Sequence, residues 1–151
     1  MSNPAAISYD TTLLIRDACL CLHVQRAARA LARRFDDALR PLGLTHGQFS
    51  LLTALNQPVP PSLGAVAALL AQDRTTVTAA LKPLGRRGLV DVRIDPGDRR
   101  GRLLTLTEAG LVLLTKALPV WEQAHAAVEA GLQAGEPDRL RRNLRALSGD
   151  A

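Results

Sequence analysis

The 151-residue chain is 47% hydrophobic but only 3% aromatic, and it carries a net charge of +5. That is one domain, or one compact unit of a dimer, with an aliphatic, Ala-rich core that favours helices, and it excludes disorder as the main state. No apolar run approaches the ~18 residues that span a bilayer, MSNPAAISYD has neither the basic segment nor the apolar run of a signal peptide, and two cysteines make no disulfide framework, so a cytoplasmic protein with no membrane partner is expected.

In chain order, residues 11–42 read as one long helix. Cys21, Val24, Ala28, Leu31, Phe35, Ala38 and Leu42 step by three and four, a heptad-like seam. Such a helix is roughly 45 Å long, more than a small domain needs, so part of its apolar face must meet another surface, most simply a second copy of the chain. Thr45 and Gln48 make a capping box, with Leu44 and Phe49 as a hydrophobic staple, for a helix continued by Leu52 and Leu55. Pro58, Pro60 and Pro61 end it. Ser62 caps a short helix whose apolar side is Leu63, Val66, Leu69 and Leu70.

Asp73 to Thr107 organises the chain. Asp73 is the N-cap of a helix in which Val77, Leu81 and Leu84 form one buried face, and Gly88 stands where a helix ends in a left-handed residue. The other face shows Arg74, Thr75, Thr76, Thr78 and Lys82, short hydroxyls and cations suited to a groove. Pro83 removes the bond to Ala79 and predicts a bend or a tightened last turn, which favours Arg74 to Thr78 over Lys82 and Arg86 as base contacts. Val90, Val92 and Ile94 alternate with Asp91 and Arg93, Asp95-Pro96-Gly97-Asp98 is a turn, and Leu104 and Leu106 alternate on the return strand. Residues 74–102 hold eight Lys or Arg and three Asp, a surplus of five that equals the net charge of the whole chain. A cationic helix followed by a cationic hairpin tip is the footprint of a polyanion reader.

Thr107 caps a second long helix with the seam Leu111, Leu114, Leu118, Trp121, His125, Val128 and Leu132. Pro119 predicts a kink in it, and Gly135 its stop. Pro137 suits the first turn of a last helix, with Leu140, Leu144 and Leu147 inward and Arg139, Arg141, Arg142 and Arg145 solvated or ion-paired. The fold expected is mainly α with a small β-hairpin wing: a winged helix-turn-helix over 45–107, flanked by helical dimerisation segments at 11–42 and 108–148.

RTTVTAALKPLGRRGLV followed by DPGDRRGRLLTLTEAG resembles the recognition helix and wing of the MarR family of bacterial winged helix-turn-helix regulators. The wing's D-x-R is present as Asp98 and Arg100, and the L-T-x-x-G after it as Leu106, Thr107 and Gly110. The resemblance implies a homodimer joined by its terminal helices that binds double-stranded DNA at an inverted-repeat operator, acts as a repressor, and is released by a small aromatic or phenolic ligand. Arg74, Thr75, Thr76 and Thr78 would enter the major groove, Ser62 and Lys82 would contact phosphates, and Arg99, Arg100 and Arg102 would sit at or beside the wing tip, with Arg100 in the minor groove and Asp98 pairing with its side chain. Effector contacts are expected at Arg16, His23, Arg26 and His46.

No P-loop, G-x-G-x-x-G or H-E-x-x-H occurs, and no Cys/His spacing fits zinc, so no enzyme, cofactor or metal is expected. His125 on an apolar seam reads as a core or interface histidine. One branch of the family senses organic hydroperoxides through a cysteine early in the first helix, and Cys21 matches that place. The tyrosines that support it there are replaced by Phe35 and His46. Cys19 and Cys21, two apart on one helix, point about 200° from each other and could not bridge. Buried structural thiols are the expectation, with a thiol-based peroxide-sensing regulator using Cys21 or Cys19 as the alternative. A helical module that binds protein instead of DNA is a third reading, opposed by the concentration of charge at 74–102.

Overall fold

The computed structural model describes residues 6–149. Its elements run α1 (Tyr9–Ala18), α2 (Leu20–Leu39), a 3-10 turn (Arg40–Leu42), α3 (His46–Leu55), α4 (Leu63–Leu69), α5 (Arg74–Arg86), β1 (Val90–Asp95), β2 (Asp98–Leu106), α6 (Glu108–Ala130) and α7 (Glu136–Ser148). The chain divides into two compact units between Arg34 and Phe35. Among the described residues no helix is long and apolar enough to cross a membrane.

In the first unit the single helix expected over 11–42 is interrupted. Ser8 caps α1 by accepting from the Thr11 N–H, and α1 ends at Cys19, whose ψ of 108° is extended. The Cys19 N–H still reaches the Ile15 carbonyl at 2.9 Å, while its own carbonyl is shared by the His23 N–H at 3.2 Å and the His23 ring Nδ1 at 2.8 Å. Cys19 is thus the hinge between two helices: its N–H closes α1, and its carbonyl accepts the first i+4 bond of α2, reinforced by the His23 ring. No Pro, Gly or capping residue marks the place, so periodicity alone ran straight through it. No residue of α1 is buried.

The second unit holds the core. Leu39, Leu51, Leu52, Val66, Val77, Leu84 and Leu104 are all less than 2% exposed, with Leu44, Leu55, Leu81, Leu89 and Val90 close behind. Each such aliphatic side chain contributes about 1.5–3 kcal/mol on burial. Three helices around a two-stranded antiparallel hairpin make up the winged helix-turn-helix. The expected caps are formed. Thr45 and Gln48 close a reciprocal box, Ser62 Oγ accepts from the Ala65 N–H, Asp73 from Thr76 and Thr107 from Gly110. Gly88 is left-handed at φ 70°.

Several expected faces differ. In α4 Val66 and Ala67 are buried while Leu69 is 65% exposed, because the helix is only seven residues long and packs on α3 and α5 along one narrow stripe. In β1 only Val90 is buried; Val92 and Ile94 are 49% and 60% exposed, since the hairpin projects beyond the helices that could cover them. Helix α5 continues through Pro83 to Arg86, with the Gly88 N–H making a tight bond to Gly85. The carbonyl that Pro83 frees belongs to Ala79, an exposed residue. Helix α6 likewise spans Pro119, but ends at Ala130 with Gly131 as its cap; Gly135, left-handed at φ 81°, begins α7. The buried positions of α6 are Gly110 and Ala117, with Leu113, Leu114 and Val120 against the core, so three of the seven seam residues (Leu111, Leu118, Leu132) are exposed. Leu140, Leu144 and Leu147, expected inward, are 44%, 39% and 62% exposed. They form one apolar stripe on α7 that no other part of the described chain covers.

Candidate nucleic-acid interface

Helix α5 presents its polar face as expected. Asp73 Oδ1 accepts from the Thr76 N–H at 2.7 Å. That bond holds the Asp73 carboxyl below the usual carboxylate range. Beyond the cap, Arg74, Thr75, Thr76, Thr78 and Lys82 are all exposed on the side opposite Val77, Leu81 and Leu84. Arg74 does not simply extend outward. A Cβ placed on Gly64 would lie 2.7 Å from Arg74 Nη2, so the guanidinium lies over the first turn of α4. Ser62, the N-cap of that turn, is exposed, and its backbone pairs with Leu103 of the hairpin. Ser62, Arg74 and the hairpin therefore come together at one end of the module.

The wing is built from side chain-to-backbone bonds. Strand pairing runs in register from Val90↔Leu106 to Ile94↔Arg102, then shifts so that Asp95 faces Asp98. Arg99, Arg100 and Gly101 are the surplus residues and bulge outward. Asp95 Oδ1 accepts from the Gly97 N–H at 2.9 Å, and Asp98 Oδ1 from the Arg100 N–H at 3.0 Å. The expected side-chain pair between Asp98 and Arg100 is thus replaced by an Asx turn, because a two-residue spacing brings a short carboxylate to a backbone donor more readily than to a long side chain. Arg102 Nη1 donates to the carbonyls of Gly101 at 3.0 Å and Arg99 at 3.3 Å, bracing the bulge from behind. Arg99 and Arg100 are left exposed at the tip, and among the described residues nothing bonds or pairs with their guanidinium groups. An open cleft of about 270 Å³, lined by Leu63, Leu81, Lys82, Val92 and Arg102, lies between α5 and the hairpin.

Net charge separates this surface from the rest: the whole surplus of five falls within 74–102, and among the described residues four of the eleven cations outside it are ion-paired. Arg16, Arg40, Arg139 and Arg141 all pair with carboxylates. Among the described residues, none of the eight cations of 74–102 does. Unpaired cations around a capped helix and a bulged hairpin tip are free to exchange counterions for phosphates.

A family model described as "MarR family" matches residues 44–101, the module just described. The transcriptional regulator MosR of M. tuberculosis, solved in complex with DNA, superimposes with a TM-score of 0.79 at 36% identity, covering 87% of this chain and 95% of that one. The chain belongs to the MarR family. Among curated MarR-type relatives, the transcriptional repressor NicR of Pseudomonas putida is 37% identical over 93 residues, 62% of this chain and 59% of NicR. BpsR of Bordetella bronchiseptica, whose DNA binding is regulated by 6-hydroxynicotinic acid, is 31% identical with a TM-score of 0.79, covering 87% of this chain and 94% of that one.

Of the effector residues expected from this MarR resemblance, His46 alone lies in the second unit. Its ring Nδ1 is 2.8 Å from Asp36 Oδ1, which also accepts the His46 backbone N–H at 2.7 Å. The backbone bond first, then the imidazole, holds the Asp36 carboxyl below the usual range. His46 lines a cleft of about 330 Å³ with Phe35, Leu39, Phe49, Trp121 and His125. The Phe49 and Trp121 rings stack with centroids 6.3 Å apart, and Trp121 and His125 at 4.7 Å. Sequence reasoning missed this cluster; the signal was that both Phe, the single Trp and two of the three His of the chain fall at seam or cap positions. In the first unit, Arg16 pairs with the neighbouring Asp17 at 2.7 Å, His23 is held by the Cys19 carbonyl, and Arg26 is exposed. The two thiols expected to be buried are not: Cys19 is half-buried and Cys21 exposed, with Gln25 Nε2 donating to its sulfur at 3.2 Å.

Proposed function

We propose that the protein is a homodimeric, sequence-specific repressor of transcription that leaves its operator when a small aromatic acid binds. The observation that carries the DNA half is the unpaired cationic surface of α5 and the wing. Thr75, Thr76 and Thr78, with Arg74, read base edges in the major groove; Ser62, Lys82 and Arg99 contact phosphates; Arg100 enters the minor groove; Arg102 and Asp98 hold the wing tip in shape. The effector half rests on the aromatic cleft, whose stacked rings and flanking imidazoles suit a flat, anionic ligand. The relative regulated by 6-hydroxynicotinic acid supports that ligand class. Segments 11–42 and 108–148 carry the dimer interface, supported by the uncovered stripe of Leu140, Leu144 and Leu147.

The test is a salt titration of binding to a duplex selected by the wild type from a random library. A sequence-specific dimer gives a steep log–log slope and a large preference over scrambled duplex. A shallow slope without preference refutes the reading. Sedimentation of Leu144→Asp tests the interface: a dimeric wild type and a dissociated variant are expected.

A second reading, thiol-based peroxide sensing by Cys21 or Cys19, is favoured by one specific observation. The helix breaks at Cys19, so the two thiols no longer share one rigid helix, and Cys21 is exposed with a donor at its sulfur. Loss of operator binding on peroxide treatment of the wild type, but not of Cys21→Ser, selects this reading.

A further inference from the structure

Arg87 stands one residue past α5 and directs its guanidinium to backbone 44 residues earlier in the chain. Its Nη1 donates to the Gly43 carbonyl at 2.7 Å. Gly43 closes the 3-10 turn after α2, left-handed at φ 68° with its own N–H bonded to the Arg40 carbonyl. A Cβ there would come within 3.3 Å of Arg87 Nη2. The guanidinium therefore occupies the carboxyl end of α2 and its extension, where unpaired carbonyls and the helix dipole attract a cation. Among the described residues no carboxylate pairs with Arg87, and no other side chain of α5 or its cap hydrogen-bonds a different element.

The segment Arg87 grips is the wall of the aromatic cleft. Phe35 and Leu39 lie just before Gly43, His46 just after, and all three line that cleft. Asp36 ties to His46 across the same stretch, and Leu39 and Leu44 are buried at 0% and 3%. A stretch fixed at both ends and in the core cannot yield at one point without moving the rest. The Gly43 carbonyl is thus placed to feel any parting of Phe35 and Leu39 from His46.

We propose that Arg87 is a positioning residue that couples the aromatic cleft to the recognition helix. An aromatic acid entering the cleft displaces Gly43, and the Gly43–Arg87 bond carries that displacement to the exit of α5, changing its seat in the major groove. This rests on the effector reading of the cleft given above. Arginine is required over lysine because its fork can hold the carbonyl while its stem lies along the turn.

The experiment is a double-mutant cycle on binding to the library-selected duplex. Ser50 lies at the exposed rim of the cleft, and Ser50→Phe fills it without a ligand. Arg87→Met removes the donor and keeps the stem. Ser50→Phe is expected to weaken binding about tenfold in the wild-type background and less than about twofold in Arg87→Met, with Arg87→Lys between. Hydrogen exchange in Arg87→Met is expected to quicken together at residues 39–44 and 84–89. Equal losses in both backgrounds overturn the relay and leave the cleft standing as an effector site. No loss from Ser50→Phe in the wild type removes the effector reading and the relay with it. Unchanged exchange in Arg87→Met overturns the proposal whatever the binding shows.

Discussion

Asp98 holds the backbone of Arg100, not its side chain: Oδ1 accepts the Arg100 N–H at 3.0 Å. The carboxylate shapes the loop and leaves the guanidinium free. Arg100→Ala should weaken binding to the selected duplex by about 1–3 kcal/mol with an unchanged melting temperature. Asp98→Asn keeps an acceptor in the same place and should bind nearly as well as wild type, while Asp98→Ala should lose part of the Arg100 effect. Fluorescence anisotropy at fixed salt measures all three. A large loss for Asp98→Asn would restore the ion-pair account.

Gly64 sets the position of Arg74. A methyl at Gly64 would meet Nη2 at 2.7 Å, and the atom that gives way is the far end of a flexible side chain. Gly64→Ala should therefore fold with a melting temperature within a few degrees of wild type. Operator affinity should fall about tenfold, roughly one misplaced groove contact. Equal affinities would mean that Arg74 does not read DNA from this pose.

Gly110 has no such latitude. Its Cβ would lie 2.1 Å from the Leu89 carbonyl oxygen, a backbone atom that already accepts from the Thr107 N–H. Gly110→Ala should destabilise the fold by about 3 kcal/mol, since the junction of α6 with the hairpin must separate. A urea denaturation curve measures this, and a midpoint equal to wild type would contradict the packing described.

Acid should loosen two caps together. The carboxyls of Asp73 and Asp36 are both held below the ordinary carboxylate range, chiefly by backbone N–H groups of Thr76 and His46. A depressed folded pKa contributes stability that is present above the unfolded value of about 4 and is lost as pH falls through the folded value. Melting temperature should therefore drop from pH 5 toward pH 2 more steeply for the wild type than for Asp36→Asn combined with Asp73→Asn. Parallel profiles would remove these carboxylates from the acid response.

The recognition helix, the wing turn, four of the five side-chain caps (all but Ser8) and the concentration of charge at 74–102 were legible in the sequence. Each depends on residues within a few positions of one another: Asp73 reaches only to Thr76, Thr107 to Gly110, and the period of Val77, Leu81 and Leu84 needs no partner to be seen. The MarR resemblance rested on the same local run.

What the tertiary structure alone decided lies at long separation or turns on what covers a face. Apolar spacing marked Leu69, Val92 and Leu144 as inward, but burial depends on a neighbour being there, and in the described chain none is. The break at Cys19 carries no breaker residue; it is made by the extended backbone of Cys19, whose carbonyl then starts α2 by accepting from His23. Phe35, Phe49 and Trp121 come from three helices, and Arg87 meets Gly43 across 44 residues, so no window of sequence contains either relationship. Local hydrogen bonding and periodicity write themselves into short runs of residues; the cleft and the tie to α2 exist only once the core has brought those runs together.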